Sequence, residues 1–411
     1  MRLLYTFGIH CYFLLIWLMQ FFNPKAKKWI NGRQNVFNDL KKSIDTTNLY
    51  WFHCASLGEF DQGIPVMNAL KKRDPAAFIL VTFFSPSGME HYHKRRHCAN
   101  YVCYLPIDTP KNSKKFLSIT QPKKIFFIKY EFWFNYIFEA KKSEVPLYSI
   151  SCILRPDQLF FKKYGSFFRE GLSYFTHFFV QNNETKLLLN QIHLTNALIT
   201  GDTRFDKVID NKNNSSEDSI IENFLSTSKK AIILGSSWAW EEELLKEIIH
   251  QLPNEKIIIA PHDVSEKHIN AIESLFDNAI RYSNMSKEIQ YSSNVLIIDC
   301  IGKLSNAYRF GKMAFIGGGS TGKLHNILEP AVFGLPVIFG PKHSKFPEAT
   351  QFLEVGIGYE ISNSNELAAA INFIDNNLDK LTLKCATFIE SSTGASEKII
   401  ENISNYMTKN K

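Results

Sequence analysis

The chain contains no Cys-x-x-Cys pair. Its seven cysteines stand singly at positions 11, 54, 98, 103, 152, 300 and 385. An odd, scattered set excludes a disulfide framework and a zinc site, and indicates reduced thiols in a cytosolic compartment. Glycine and proline are few, 20 and 15 in 411 residues. There is no internal repeat and no low-complexity tract, so the composition is that of a globular protein. Only Arg2 precedes the first apolar run and no Ala-x-Ala site follows it, which fits a cleaved signal peptide poorly.

What is present is apolar: 45% hydrophobic residues, 21% charged, and 34 phenylalanines. At 411 residues the chain is too long for one ordinary core, so two domains are expected. The net charge of +7 conceals an asymmetry. Residues 1–210 hold 28 Lys and Arg against 16 Asp and Glu, net +12; residues 211–411 hold 19 against 24, net −5. The first half therefore faces something anionic, either nucleic acid or anionic lipid, unless the charge is only a solvated surface. No base-stacking or groove-reading element accompanies it, which argues against nucleic acid.

Residues 3–22 carry no formal charge and are long enough to cross a bilayer. Lys25, Lys27, Lys28, Trp29 and Arg33 follow, a basic and aromatic flank suited to the cytoplasmic interface. A membrane-anchor helix is expected over residues 1–22, spanning the bilayer or lying in its surface. A buried first helix of a soluble domain is the plainer alternative.

Beyond it, short apolar runs alternate with amphipathic segments. Residues 50–54, 78–84, 125–128, 146–150 and 178–181 read as buried strands, and so do 231–234, 256–260, 295–299, 314–316 and 336–339. Strands without polar alternation, separated by helices, imply parallel sheets covered on both faces. The polar stretch DNKNNSSEDS, 210–219, is the expected linker. It divides an α/β domain at 23–209 from a second at 220–411, whose last helix is a candidate to pack back on the first. Such folds bind ligands beyond the carboxyl ends of their strands.

Several strand ends carry polar groups. WFHCASLGEF, 51–60, runs from a buried strand into Ser56, Gly58 and an acid, Glu59. KYEFWFNYI, 129–137, places Glu131 just after another strand. GDTRFD, 201–206, places Arg204 in a turn, to offset charge on a leaving phosphate or simply to pair with Asp202 or Asp206. GSSWAWEEELL, 235–245, offers Gly235, Ser236 and Ser237 to a phosphate or sugar, or as an ordinary helix cap. Its three acids suit a helix first turn. In FIGGGSTGKLHNILEPAVFGLPVIFGP, 315–341, Gly318, Gly319 and Gly322 allow close approach of backbone to ligand. A helix starting near His325 or Asn326 would turn free N–H groups to a phosphate, with Glu329 one turn on to take ribose hydroxyls. His325 alone would read as a capping or core histidine.

In this order the motifs resemble those of the Kdo transferases, the 3-deoxy-D-manno-octulosonic acid transferases of Gram-negative lipopolysaccharide synthesis. WFHCASLGEF is similar to their strand–SxGE element, KYEFW to E-x-E-L-W, GDTRFD to G-N-x-K-F-D and GSSWAWEEE to G-S-T-x-x-G-E-E. The segment from His325 is similar to HNxLEPAxxGxPVxxGP. The resemblance covers about residues 1–350. It implies a GT-B glycosyltransferase: two doubly wound Rossmann-like domains facing a central cleft, with an N-terminal membrane anchor. CMP-Kdo would be the donor, a lipid A precursor the acceptor, and no cofactor or metal is implied. The protein would work at the cytoplasmic face of an anionic inner membrane. Glu59 would be the general base, and Glu131 and Arg204 would stabilise the transition state. The N-terminal domain would present Ser56 and Gly58 to the acceptor. The nucleotide would be held by Gly235, Ser236, Pro261, His262, Gly302, Lys303, Leu304, Gly318, Gly319, His325, Asn326, Ile327, Leu328 and Glu329.

Three positions depart from the pattern. APHDV puts Pro261-His262 where the family has Pro-Arg. Lys303 replaces a glutamate, and Lys129 replaces the first acid of E-x-E. A GT-B enzyme acting on a UDP-sugar, as transferase or epimerase, and a non-catalytic membrane scaffold are the rival readings.

Overall fold

The computed structural model describes residues 1–226, 230–286 and 293–409. The chain forms two compact units: unit 1, Met1–Lys207 with Thr393–Lys411, and unit 2, Val208–Ser392.

Unit 1 is built on seven parallel strands: β1 (Leu49–Cys54), β2 (Phe78–Phe83), β3 (Tyr101–Tyr104), β4 (Lys124–Ile128), β5 (Leu147–Cys152), β6 (His177–Val180) and β7 (Ala197–Ile199). Their order across the sheet is β3-β2-β1-β4-β5-β6-β7. Successive side chains of a strand point to opposite faces, and here both faces are covered. Trp51 packs against Phe116 at 4.7 Å between ring centroids, in the core on one face. Phe52 stacks on Phe126 at 4.4 Å, in the core on the other. The abundant phenylalanine fills these two layers, which is why the strands show no polar alternation. The final helix, Ala395–Lys409, adds Ile399, Ile400 and Ile403 to the second core.

Unit 2 repeats the plan with β8 (Ala231–Ser237), β9 (Ile257–Pro261), β10 (Ile280–Arg281), β11 (Val295–Ile297), β12 (Gly311–Ile316), β13 (Val337–Phe339) and β14 (Gly358–Glu360). Their order is β10-β11-β9-β8-β12-β13-β14. In each sheet the chain first builds outward in one direction and then returns to build in the other. The reversal falls between β1 and β4 in unit 1 and between β8 and β12 in unit 2. Diverging connections leave a crevice at such a point, beyond the strands' carboxyl ends.

The ten expected strands are all present, with small shifts at their ends. The four not expected are β3, β7, β10 and β14, the two edges of each sheet. Edge strands are covered on fewer sides, are short, and carry mixed residues, so they lack the apolar run that marks a central strand.

Two further expectations are corrected. Residues 210–213 are not linker but the end of the helix Thr203–Asn213. Polar composition does not stop a helix whose other face packs. Trp29 and Arg33 are not an exposed interfacial flank. Trp29 is buried, and the Arg33 guanidinium lies 3.7 Å over its ring while donating to the carbonyls of Trp29, Phe84 and Leu105.

The first helix, Arg2–Met19, has the length and apolarity to cross a membrane, with a mean hydropathy of 1.4 and no buried residue. It also bonds to unit 1. Tyr5 donates to Asp108 at 2.6 Å, Arg2 donates to Asn135 at 2.9 Å, and Tyr12 stacks on Phe84. Its other face leaves Leu3, Leu4, Phe7, Leu14 and Leu15 exposed.

Candidate active site

In unit 1 the reversal point holds two carboxylic acids. Strand β1 ends at Cys54, and Ser56 caps the helix Leu57–Arg73. Glu59 stands in that helix's first turn, and its Oε2 accepts from the Ser56 N–H at 3.1 Å, closing a capping box. The acid is thus a helix-start residue held by local backbone bonding, not an extension of the strand. It is 7% exposed, and its pKa is pushed up to about 7. Burial is the main cause and the neighbouring Glu131 charge adds to it, while Lys129 and the backbone N–H groups pull the other way.

Glu131 follows β4 on the opposite side of the reversal. Burial raises its pKa as well. The turn carrying it is held at both ends. Lys129 adopts a left-handed φ of 61°, with its N–H on Ile150 and its carbonyl accepting from Ser149 Oγ. Two residues past Glu131, Trp133 donates its indole N–H to His53 Nε2 at 2.9 Å. An indole can only donate, so His53 carries its own proton on Nδ1, 2.9 Å from Thr82 Oγ1. Burial lowers the His53 pKa to about 3, so the imidazole stays neutral. His53, Thr82 and the half-buried Trp133 therefore form a strut beneath the Glu131 turn; Trp133 is one of the aromatics expected in the core or facing the acceptor, whereas no motif singles out His53 or Thr82. The signal was visible: a histidine interrupting an apolar strand.

Gly58 sits beside Glu59, and a Cβ built there would meet nothing within 4 Å. The space above this turn is open to a ligand. The GDTRFD segment is helical from Thr203, so Arg204 lies in a helix first turn, not in a free turn. Its Nε is 2.7 Å from Asp202 Oδ2. Thr203 Oγ1 donates to the Gln62 carbonyl, tying this motif to the helix that carries Glu59. Asp206 accepts from the N–H groups of Gly394 and Ser396 at 2.7 Å and so fastens the last helix.

In unit 2 the reversal point gathers Gly235, Ser236 and the loop after β12. Ser236 is left-handed, φ 52°, like Lys129 and Ser151 at strand ends of unit 1. Non-glycine residues in this region are strained and concentrate at functional sites. Gly318 and Gly319, however, serve backbone packing more than ligand approach, whereas a Cβ on Gly322 would meet nothing closer than 3.8 Å. A Cβ on Gly318 would lie 2.2 Å from the Lys323 carbonyl, and one on Gly319 would lie 2.4 Å from the Gly340 nitrogen. The Gly318 N–H is taken by buried Glu241, whose other oxygen accepts from Trp238 N–H. The expected helix start at His325 or Asn326 is also corrected. The helix runs only over Leu328–Ala331. Asn326 folds its own Oδ1 onto the Leu328 N–H at 3.1 Å, and its amide donates to Glu329 at 3.2 Å. Four residues, one of them Pro330, give no helix dipole of consequence for a phosphate.

Ile327 and Leu328 are core residues. Pro261 ends β9, and the His262 N–H bonds the Ser237 carbonyl. Gly302 is left-handed, φ 92°. Lys303 turns its ammonium to Asp218, 3.3 Å away, and over the Tyr282 ring. Leu304 packs beside Gly235. At the reversal the ring of half-buried Trp238 stacks on exposed His262, and the half-buried His325 ring lies tilted against His262.

Known proteins are similar to this chain in sequence and in fold. A family model described as 3-deoxy-D-manno-octulosonic-acid transferase (kdotransferase) matches residues 30–207. The chain is 26% identical over 330 residues to the 3-deoxy-D-manno-octulosonic acid transferase of Aquifex aeolicus, covering 78% of this chain and 84% of that one. To the enzyme of the same name from Chlamydophila psittaci it is 24% identical, covering 98% and 97%. Among solved structures, the UDP-GlcNAc 2-epimerase of Neisseria meningitidis superposes with a TM-score of 0.62 at 15% identity, over 87% of this chain and 99% of that one. That likeness shows the fold alone, two doubly wound α/β units of the GT-B type. The chain is thus similar over nearly its full length to 3-deoxy-D-manno-octulosonic acid transferases, and the family model covers the part of unit 1 that carries the paired acids at its reversal point.

Proposed function

We propose that the protein transfers Kdo from CMP-Kdo to a sugar hydroxyl of a lipid A precursor, with inversion at the anomeric carbon. The acceptor oxygen forms a bond to that carbon while the bond from it to the CMP phosphate breaks. The hydroxyl proton passes to Glu59, and CMP departs with the electron pair. The observation that carries this reading is Glu59 itself, a buried carboxyl with a pKa of about 7 beside an open turn. A base is most effective when its pKa lies near the working pH. Glu131 would act on the charge developing at the sugar. Arg204, paired with Asp202, would orient this side of the site. CMP is already an acidic leaving group, so the transfer is proposed to need no metal and no cofactor.

The acceptor is a phosphorylated lipid, and the net +12 of residues 1–210 suits it and an anionic membrane surface. The exposed apolar face of the first helix supports attachment to the inner membrane, with both units on the cytoplasmic face. The test is to incubate the protein with CMP-Kdo and a tetraacylated lipid A precursor and weigh the lipid by mass spectrometry. A mass increase by one or more Kdo is expected. Transfer from UDP-sugars but not from CMP-Kdo would refute the donor assignment.

A further inference from the structure

The sequence leaves open whether the first helix crosses a membrane or lies in its surface. Its contacts within unit 1 separate the two. Arg2, Tyr5, Thr6, Ile9, Phe13 and Ile16 are half-buried and recur at helical spacing, so one face of the helix Arg2–Met19 rests on unit 1 along most of its length. At its start, the Arg2 guanidinium donates to Asn135, the Asn135 amide donates to Thr6 at 3.3 Å, and the Tyr5 hydroxyl donates to Asp108. Asp108 and Asn135 are both buried. At its middle, the Tyr12 ring lies 6.2 Å from Phe84, just past β2, and 6.5 Å from Trp29. Phe13 also meets Trp29, at 6.4 Å. Trp29 belongs to the next helix, Pro24–Asn31, so the chain turns back after Phe22 and packs against the midpoint of the helix it has just left.

Crossing a bilayer takes about 30 Å of helix clear of the water-soluble unit. Only residues 14–22 lie beyond these contacts, and at 1.5 Å per residue they reach about 13 Å. A spanning orientation would either break the bonds to Asp108 and Asn135 or carry both polar groups into hydrocarbon, where they are costly. The opposite face of the helix is apolar and uncovered. Leu3, Leu4, Phe7, Leu14, Leu15 and Leu18 are 48% to 87% exposed, and Cys11 is exposed with them. Lys25 and Lys27 stand exposed just past the helix, and residues 1–38 contain no Asp or Glu.

We propose that this helix is an in-plane anchor: its apolar face is immersed in one leaflet of an anionic bilayer, its other face stays on unit 1, and no part of it crosses. This rests on the reading of the protein as membrane-attached. Such a face sinks about 5–10 Å, to the boundary of headgroups and acyl chains, and the lysines beside it meet lipid phosphates. The consequence reaches the paired acids. Tyr12 stacks on Phe84, and Phe84 stacks at 4.6 Å on Trp133, which follows Glu131 closely in the chain. A helix lying flat sets the Glu131 turn at the surface of the leaflet that holds a lipid acceptor. The acceptor's sugar then meets the acids without its acyl chains leaving the bilayer.

The test is the depth of Cys11, whose label needs no substitution in the helix. In the full chain with Cys98→Ser and Cys300→Ser, the other cysteines are buried, so bimane attaches to Cys11 alone. The protein is bound to vesicles of phosphatidylethanolamine and phosphatidylglycerol, or of phosphatidylcholine. Quenching by phospholipids brominated near the headgroup or near the chain ends reports the depth. Cys11 should be quenched more by the shallow bromines, and Leu4→Cys and Leu18→Cys, each made with Cys11→Ser, should report the same depth. Labels at 4 and 18 about 21 Å apart along the bilayer normal, with Cys11 near the centre, overturn the in-plane anchor and leave membrane attachment standing. No binding to either kind of vesicle removes the attachment, and the anchor with it. Lys25→Gln and Lys27→Gln should each weaken binding to the anionic vesicles about fivefold. Equal affinity of the parent for both kinds of vesicle overturns the anionic leaflet as its partner.

Discussion

Replacing Glu59 by glutamine should make the protein more stable and nearly inactive at the same time. The pKa of this carboxyl rises from 4.5 to about 7 in the fold, so the folded state disfavours the ionised form. Below pH 4.5 the acid is protonated whether folded or not, and its ionisation costs nothing. As pH rises from 4.5 to 7 the unfolded chain ionises first and stability is lost, reaching a plateau above 7. At about 1.4 kcal/mol per unit of pKa, the plateau is worth at most about 3.5 kcal/mol. Glutamine removes that cost and still serves a capping box, since it too can accept from the Ser56 N–H. Denaturant unfolding of both proteins at pH 4 and pH 8 measures the difference. The variant should match the parent at pH 4 and exceed it by about 1–3 kcal/mol at pH 8. Its transfer rate should fall by about 10²–10⁴, the usual contribution of a general base. In the parent, the rate should rise with pH through an apparent pKa near 7. An equal stability difference at both pH values would refute the burial argument, and undiminished transfer would remove Glu59 from catalysis.

Other perturbations separate scaffold from chemistry. Asp108 accepts from Tyr5 Oη and from the N–H groups of Asn135 and Tyr136, so Asp108→Ala strands buried donors and should cost about 2–4 kcal/mol by urea unfolding. Trp133→Phe removes the bond to His53 beneath Glu131; the rate should fall with little change in acceptor KM, and unaltered turnover would show that the strut does not position the turn. Gly319→Ala drives a Cβ to 2.4 Å from the Gly340 nitrogen and should lower stability by at least about 1–3 kcal/mol, whereas Gly58→Ala, with open space, should leave the melting temperature unchanged. Transfer should survive EDTA, and a chelator-sensitive rate restored by a divalent ion would contradict the metal-free proposal.

The sequence alone determined the central strands, the parallel α/β class and the resemblance to Kdo transferases. A strand buried on both faces must be apolar throughout, so β1, β4, β8 and β12 are legible as unbroken runs. Edge strands β3, β7, β10 and β14 escape this logic because their burial comes from neighbours that composition does not show. The motifs also located Glu59 and Glu131, since a carboxylate beside a buried strand is costly and asks for a reason. Only the tertiary structure decided that the two acids flank one reversal of strand order, 72 residues apart in sequence, and that their mutual charge raises Glu59. It decided that Gly318 and Gly319 of the β12 loop face backbone, that Asn326 caps its own turn, and that Glu241 occupies the Gly318 N–H. It also brought Trp238, His262 and His325 into one stack. Local sequence fixes which residues can be buried or can bend the chain. Which of them meet depends on strand order and register, and those are settled by packing of the whole sheet.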